Sequence, residues 1–304
     1  MIRIDAATVL LQWAVGGLFF GWITTRRREV GVGYGWLVRA TYLVLAMGSV
    51  AAGVVLGPVP VRDIAGVGVA LASGAALAVS VVRRKAGVAG ERARKQAKAD
   101  RVAAMAGAIP PTDPAVDGDG GDAEGDRPPA VAEGEGDGPA EFPPVLDLVA
   151  PLIGVVGLVA ASLDAGGNTA VALLRTLVGA AFLGAVTDAM LLGHWYLVQP
   201  GLARGPLLEL VRWLAALWPF EVGALLIPTG MLAVLSGRVD DGYNGLLGWF
   251  WLACAIGTIV LCGVTRAALR ERYYSAVMAA TGLLYLAIVT AFGTDLVARA
   301  ALAP

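Results

Sequence analysis

Histidine occurs once and cysteine twice in a chain of 304 residues, and charged side chains make up only 15% of it. One imidazole and two thiols exclude a zinc site built from Cys and His, an iron–sulfur cluster held by four thiolates, and a disulfide framework within one chain. An ordinary soluble domain carries about 25% charged residues, so the scarcity of charge excludes a water-soluble fold for most of this sequence. The charges also nearly cancel, 23 Lys and Arg against 24 Asp and Glu, which argues against an overall basic footprint for nucleic acid. The sequence has no P-loop, no GxSxG elbow, no HExxH pair and no dinucleotide fingerprint; Gly31-Val32-Gly33 follows no βαβ pattern. Soluble enzyme chemistry therefore has no support, and neither a cofactor nor a metal is expected.

What the chain has instead is apolar length: 57% hydrophobic residues and a mean hydropathy of +0.71. A spanning helix needs about 20 mostly apolar residues, and eight windows meet that requirement. They run from Ala6 to Thr24, Leu37 to Leu56, Ile64 to Val82, Val145 to Leu163, Ala170 to Val198, Leu207 to Leu235, Leu246 to Thr265 and Tyr274 to Leu296. The expected fold class is all-α, a polytopic transmembrane helix bundle. Residues 1–82 hold three spans, 83–144 form a cytoplasmic loop, and 145–304 form a five-helix body.

Lys and Arg near span ends stay cytoplasmic, and here their bias is large. One side collects Arg26, Arg27, Arg28, Arg39, eight cations from Arg83 to Arg101, Arg127, Arg204, Arg266, Arg270 and Arg272, whereas the other receives only Arg3, Arg62, Arg238 and Arg299. Both termini are thus expected outside, as an even number of crossings permits. The first span has its arginines after the apolar run, the reverse of a secretory signal, and reads as uncleaved. Trp22, Trp36, Trp195, Tyr273 and Tyr274 fall near inner edges, with Trp249 and Trp251 near an outer one, as interface anchors do. The Ala, Gly, Val and Arg bias points to a bacterial cytoplasmic membrane.

The loop changes character twice. Arg83 to Arg101 carries a net charge of +6, and Pro110 to Glu141 a net charge of -9 with much Gly and Pro. The first stretch fixes topology and offers a surface for anionic lipid, worth about 1 kcal/mol per cation near the membrane. The second cannot bury enough surface to offset its ordering entropy and is expected to be disordered. Gly17/Gly21 and Gly53/Gly57 have the spacing of closely packed helices. Cys254 and Cys262 lie too far apart on one helix to bridge.

Charged groups inside spans are the default functional candidates, and they concentrate in the hairpin of the fifth and sixth spans. Asp188 and Arg212 fall at similar depth and are expected to pair. Glu209 is three residues from Arg212, and His194 lies close enough to the inner surface to meet Glu209 or water. Arg175 is expected to snorkel to the outer interface. Glu221 lies beyond the midplane between Pro219 and Pro228, where a broken helix suits a transport site and a carboxyl suits a proton carrier. The candidate site is therefore Asp188, His194, Glu209, Arg212 and Glu221. Three functions follow: a membrane-complex subunit or scaffold with partner subunits or as a homo-oligomer, a small proton-coupled transporter, and a haem-binding redox subunit ligated through His194.

Overall fold

The computed structural model describes residues 5–88, 92, 93, 96, 141–227, 230–271 and 273–302. The described residues are helical and contain no strand. Most of the basic run and all of the acidic tract before Glu141 lie outside them, as does Pro228.

The helices are α1 (Ala6–Thr25), α2 (Val32–Leu56), α3 (Pro60–Val82), α4 (Leu146–Asp164), α5 (Thr169–Val198), α6 (Gly205–Leu226), α7 (Gly230–Leu235), α8 (Leu246–Arg270) and α9 (Tyr274–Ala301). A 3-10 turn, Arg83–Ala86, extends α3. Their starts follow local chemistry. Asp5 caps α1 by accepting from the Thr8 N–H at 2.7 Å, Asn168 caps α5 through the Val171 N–H, and α3 begins at Pro60, where a missing N–H costs nothing.

Seven of these helices are long and apolar enough to cross a membrane. The sixth expected span, Leu207 to Leu235, is in fact two helices. Helix α6 has 22 residues, about 33 Å of rise, and is the least apolar of the long helices because it carries Glu209, Arg212 and Glu221. It ends at Leu226, and Ile227 turns to extended backbone (φ -89, ψ 144). That is the conformation forced on a residue preceding proline, and Pro228 follows in the sequence. Helix α7 begins at Gly230, whose φ is +31.

Helices α1 and α5 form the centre, with 67% and 61% of their most apolar windows buried, against 33% for α2, α3, α8 and α9. Helix α1 packs on α2, α4 and α5; α3 lies between α2 and α4; α6 and α9 flank α5; and α8 packs on α9 and α6. The central crossing is backbone on backbone. A Cβ on Gly16 would overlap the Ala180 carbonyl, and one on Gly184 would overlap the backbone of Gly16. Such approach supplies the dispersion that lipid cannot.

Ion pairs mark the two ends of the bundle. At one end Arg26 and Arg27 both meet Glu209 at 2.9 Å, Arg28 and Arg92 meet Glu141, and Arg204 donates to the Leu269 and Tyr273 carbonyls. This arginine-rich end gathers the α1–α2, α5–α6 and α8–α9 connections. At the opposite end the fully buried Arg62 donates to Asp5, Asp63, Thr8 and the Gly57 carbonyl.

Candidate functional site

The intramembrane polar residues fall into three groups at different depths. Nearest the arginine-rich end, Arg39 of α2 and Asp147 of α4 form a buried bidentate pair, with both bonds at 2.7 Å. Ser80 accepts from the remaining Arg39 Nη at 3.1 Å, Thr25 donates to Asp147, and the Phe142 ring lies 4.1 Å from the guanidinium. A cavity of about 40 Å³ adjoins the pair, lined in part by Arg28, Gly35 and Phe142, which is room for water. Every charged atom of the pair is satisfied, and it joins α1, α2, α3 and α4.

The second group sits about 6 Å deeper, reckoned along α1 from Thr25, which bonds Asp147, to Gly21, which lies beside Asp188. Asp188 is fully buried, and its Oδ1 accepts from the Tyr42 hydroxyl at 2.5 Å. Tyr42 reaches it across Gly17, where a Cβ would overlap the tyrosine ring. The Tyr34 hydroxyl contacts the Asp188 carbonyl at 3.5 Å, whereas Asp188 Oδ2 has no partner. The expected pairing with Arg212 is not formed. Arg212 is exposed on the outer face of α6, while Asp188 points toward α1 and α2. Similar depth alone does not place two residues on facing sides.

The third group lies in the opposite half and is assembled from four helices. Glu221 of α6 is 1% exposed. It stands within electrostatic reach of Asp295 and Arg299 of α9 and of Arg175 of α5, Asp295 acting most strongly, yet neither of its oxygens makes a hydrogen bond of normal geometry. Asp295 and Arg299 are locked to each other through two bonds of 2.7 and 2.6 Å, one turn apart on α9. Gln12 of α1 donates to the Thr176 carbonyl at 2.6 Å. These pieces converge on Gly179 of α5: a Cβ there would stand 2.8 Å from Arg299 Nη2, 3.2 Å from Asp295 Oδ1 and 3.2 Å from Gln12 Nε2. Five polar atoms of this cluster are buried without a partner among the described residues, namely Gln12 Oε1, Thr176 Oγ1, both Glu221 oxygens and Arg299 Nη1.

Arg175 does not snorkel. It is 8% exposed and donates to the Ala224 and Ile227 carbonyls. The end of α6 at Leu226 leaves its last carbonyls without helical partners, and the guanidinium supplies the missing donors. It thereby ties the end of α6 to α5 beside Glu221.

Of the five residues expected to form one site, Glu221 alone joins this cluster. Glu209 is held by Arg26 and Arg27 rather than by Arg212 or His194. His194 is exposed, and its Nδ1 is 2.9 Å from the Tyr285 hydroxyl. Asp295, Arg299, Gln12 and Thr176 were not expected. A signal for them exists: Arg175, Glu221, Asp295 and Gln12 all lie five or six residues from the same end of their helices, a shared depth of about 8 Å.

No protein-family model matches the chain, and no curated protein or solved structure matches it.

Proposed function

We propose that this polytopic helix bundle is a small proton-coupled carrier whose exchangeable proton resides on Glu221 beside Asp295. The observation that carries this reading is a carboxyl 1% exposed, with neither oxygen in a hydrogen bond of normal geometry among the described residues, next to a second carboxyl and beside a helix break. A purely architectural acid would be expected to have its oxygens satisfied, as those of Asp147 are. Broken helices line many transport sites. In this reading the arginine-rich end faces the cytoplasm of a bacterial cell, and the Glu221 cluster opens toward the outer half.

The test is proton flux in proteoliposomes under an imposed pH gradient, comparing the unmodified chain with Glu221→Gln. The reading expects flux that Glu221→Gln abolishes while leaving the thermal midpoint in detergent nearly unchanged. Equal flux from both proteins overturns it.

A second reading, a subunit or scaffold of a membrane complex, rests on Arg212. This cation sits about 10 Å inside the start of α6, faces outward, and is flanked by Trp213 at 43% and Phe220 at 63% exposure. An acid on a partner helix would relieve it. Recovery of a stable hetero-complex in mild detergent, lost on Arg212→Ala, supports this reading.

A further inference from the structure

Resting on the carrier reading, we propose that the Glu221 cluster also binds a small monovalent anion, taken up together with the proton and held between the guanidiniums of Arg299 and Arg175.

Charge accounting within the cluster leads there. Helix α5 contributes Arg175, α9 contributes Asp295 and Arg299, and α6 contributes Glu221. Of the other elements packed on α6, α1 brings the uncharged Gln12, α7 has no titratable group, and α8 brings only the Cys254 thiol in this half. With Glu221 ionised, two guanidiniums balance two carboxylates. A proton on Glu221 leaves one positive charge uncompensated in a site shut off from water, where it is costly. A single negative charge arriving with the proton restores neutrality.

The unpartnered atoms fit that ligand. Arg299 uses Nε and Nη2 on Asp295 and leaves Nη1 buried and unbonded; the Thr176 hydroxyl, also fully buried, has no partner. One donor is on α9 and the other on α5, three residues from Gly179, which Arg299 lies against. Arg175 and Arg299 lie close enough for their charges to repel, an arrangement that an intervening anion relieves. Gln12 Oε1 is the remaining acceptor, suited to a water that accompanies the ion. Gly179 lets Arg299, Asp295 and Gln12 gather against the α5 backbone, since a Cβ there would stand 2.8 Å from Arg299 Nη2.

The experiment measures nitrate binding to the purified full-length chain by calorimetry across a pH series, with gluconate as the large-anion control. Co-binding of one proton predicts affinity rising about tenfold per unit fall in pH over the range where Glu221 titrates. Glu221→Gln, which keeps the site in its neutral-acid form, is expected to bind nitrate independently of pH. Arg299→Gln is expected to lose binding; because it strands Asp295, Thr176→Val serves as the gentler variant, with affinity about tenfold weaker. Nitrate binding that is absent at every pH, or independent of pH in the unmodified chain, overturns the inference. Proteoliposome flux separates this from the carrier reading: proton flux equal in nitrate and gluconate overturns anion coupling alone, and pH-linked nitrate binding without any flux overturns the carrier reading alone.

Discussion

Tyr42 on α2 holds Asp188 on α5 through a 2.5 Å hydrogen bond that passes over the backbone of Gly17 on α1. Three helices therefore depend on one hydroxyl. Tyr42→Phe leaves a buried carboxyl with neither oxygen bonded, a loss of about 1–3 kcal/mol. Gly17→Ala is expected to cost more, because its methyl displaces the ring as well as the bond. Thermal unfolding in detergent checks both; a Tyr42→Phe midpoint equal to that of the unmodified chain would show that the bond contributes nothing.

The α1–α5 crossing has no room for a methyl group. Gly16→Ala is expected to push the helices apart and destabilise the chain by at least about 1–3 kcal/mol, whereas Gly74→Ala, with nothing within 4 Å, should be neutral or slightly stabilising. Comparing the two midpoints separates loss of close packing from a general effect of replacing glycine.

Removing one partner of the buried Arg39–Asp147 pair leaves an uncompensated charge. Asp147→Ala is expected to cost about 3–5 kcal/mol, and the double variant Arg39→Met with Asp147→Leu considerably less. A double variant as unstable as the single one would contradict the assignment of the cost to the stranded guanidinium.

The eight apolar runs were legible from hydropathy and length, and seven of them are helices long and apolar enough to cross a membrane. The sixth carried its own warning in Pro228, three-quarters of the way along an otherwise continuous apolar run. Side-chain facing was much less legible. Helix rise converts sequence position into depth, which puts Asp188 about 15 Å and Arg212 about 10 Å from the arginine-rich end, but α5 is apolar around most of its circumference and offers no stripe from which to read azimuth. Asp188 consequently turned to Tyr42, a residue without charge that no search for ion pairs would select. Asp295 and Arg299 were accessible as an i, i+4 pair at the end of the last span. They matter because Glu221 and Arg175 share their depth, a coincidence that only a comparison across helices brings out.

Outside the spans, Asp241 organises the approach to α8. Its carboxyl is held below the usual aspartate value by the Gly245 N–H first, and then by those of Tyr243 and Leu247, each at 2.9 Å. A depressed folded pKa gives stability that is present above the unfolded value, about 3.9, and is lost as pH falls through the lower folded value. Amide hydrogen exchange at Gly245 and Leu247, corrected for intrinsic rates, is therefore expected to quicken below that range, and Asp241→Asn should show faster exchange already at neutral pH. Exchange with no pH dependence beyond the intrinsic one would remove Asp241 from this role.

The central claim is that Glu221 gains and loses a proton inside the bundle. Infrared difference spectroscopy of the lipid-reconstituted chain, recorded across a pH step, reads that event at the carboxyl itself. The account predicts a protonated-carboxyl band that changes with pH, is missing in Glu221→Gln and survives in Asp188→Asn. An identical difference spectrum from the unmodified chain and Glu221→Gln would contradict it.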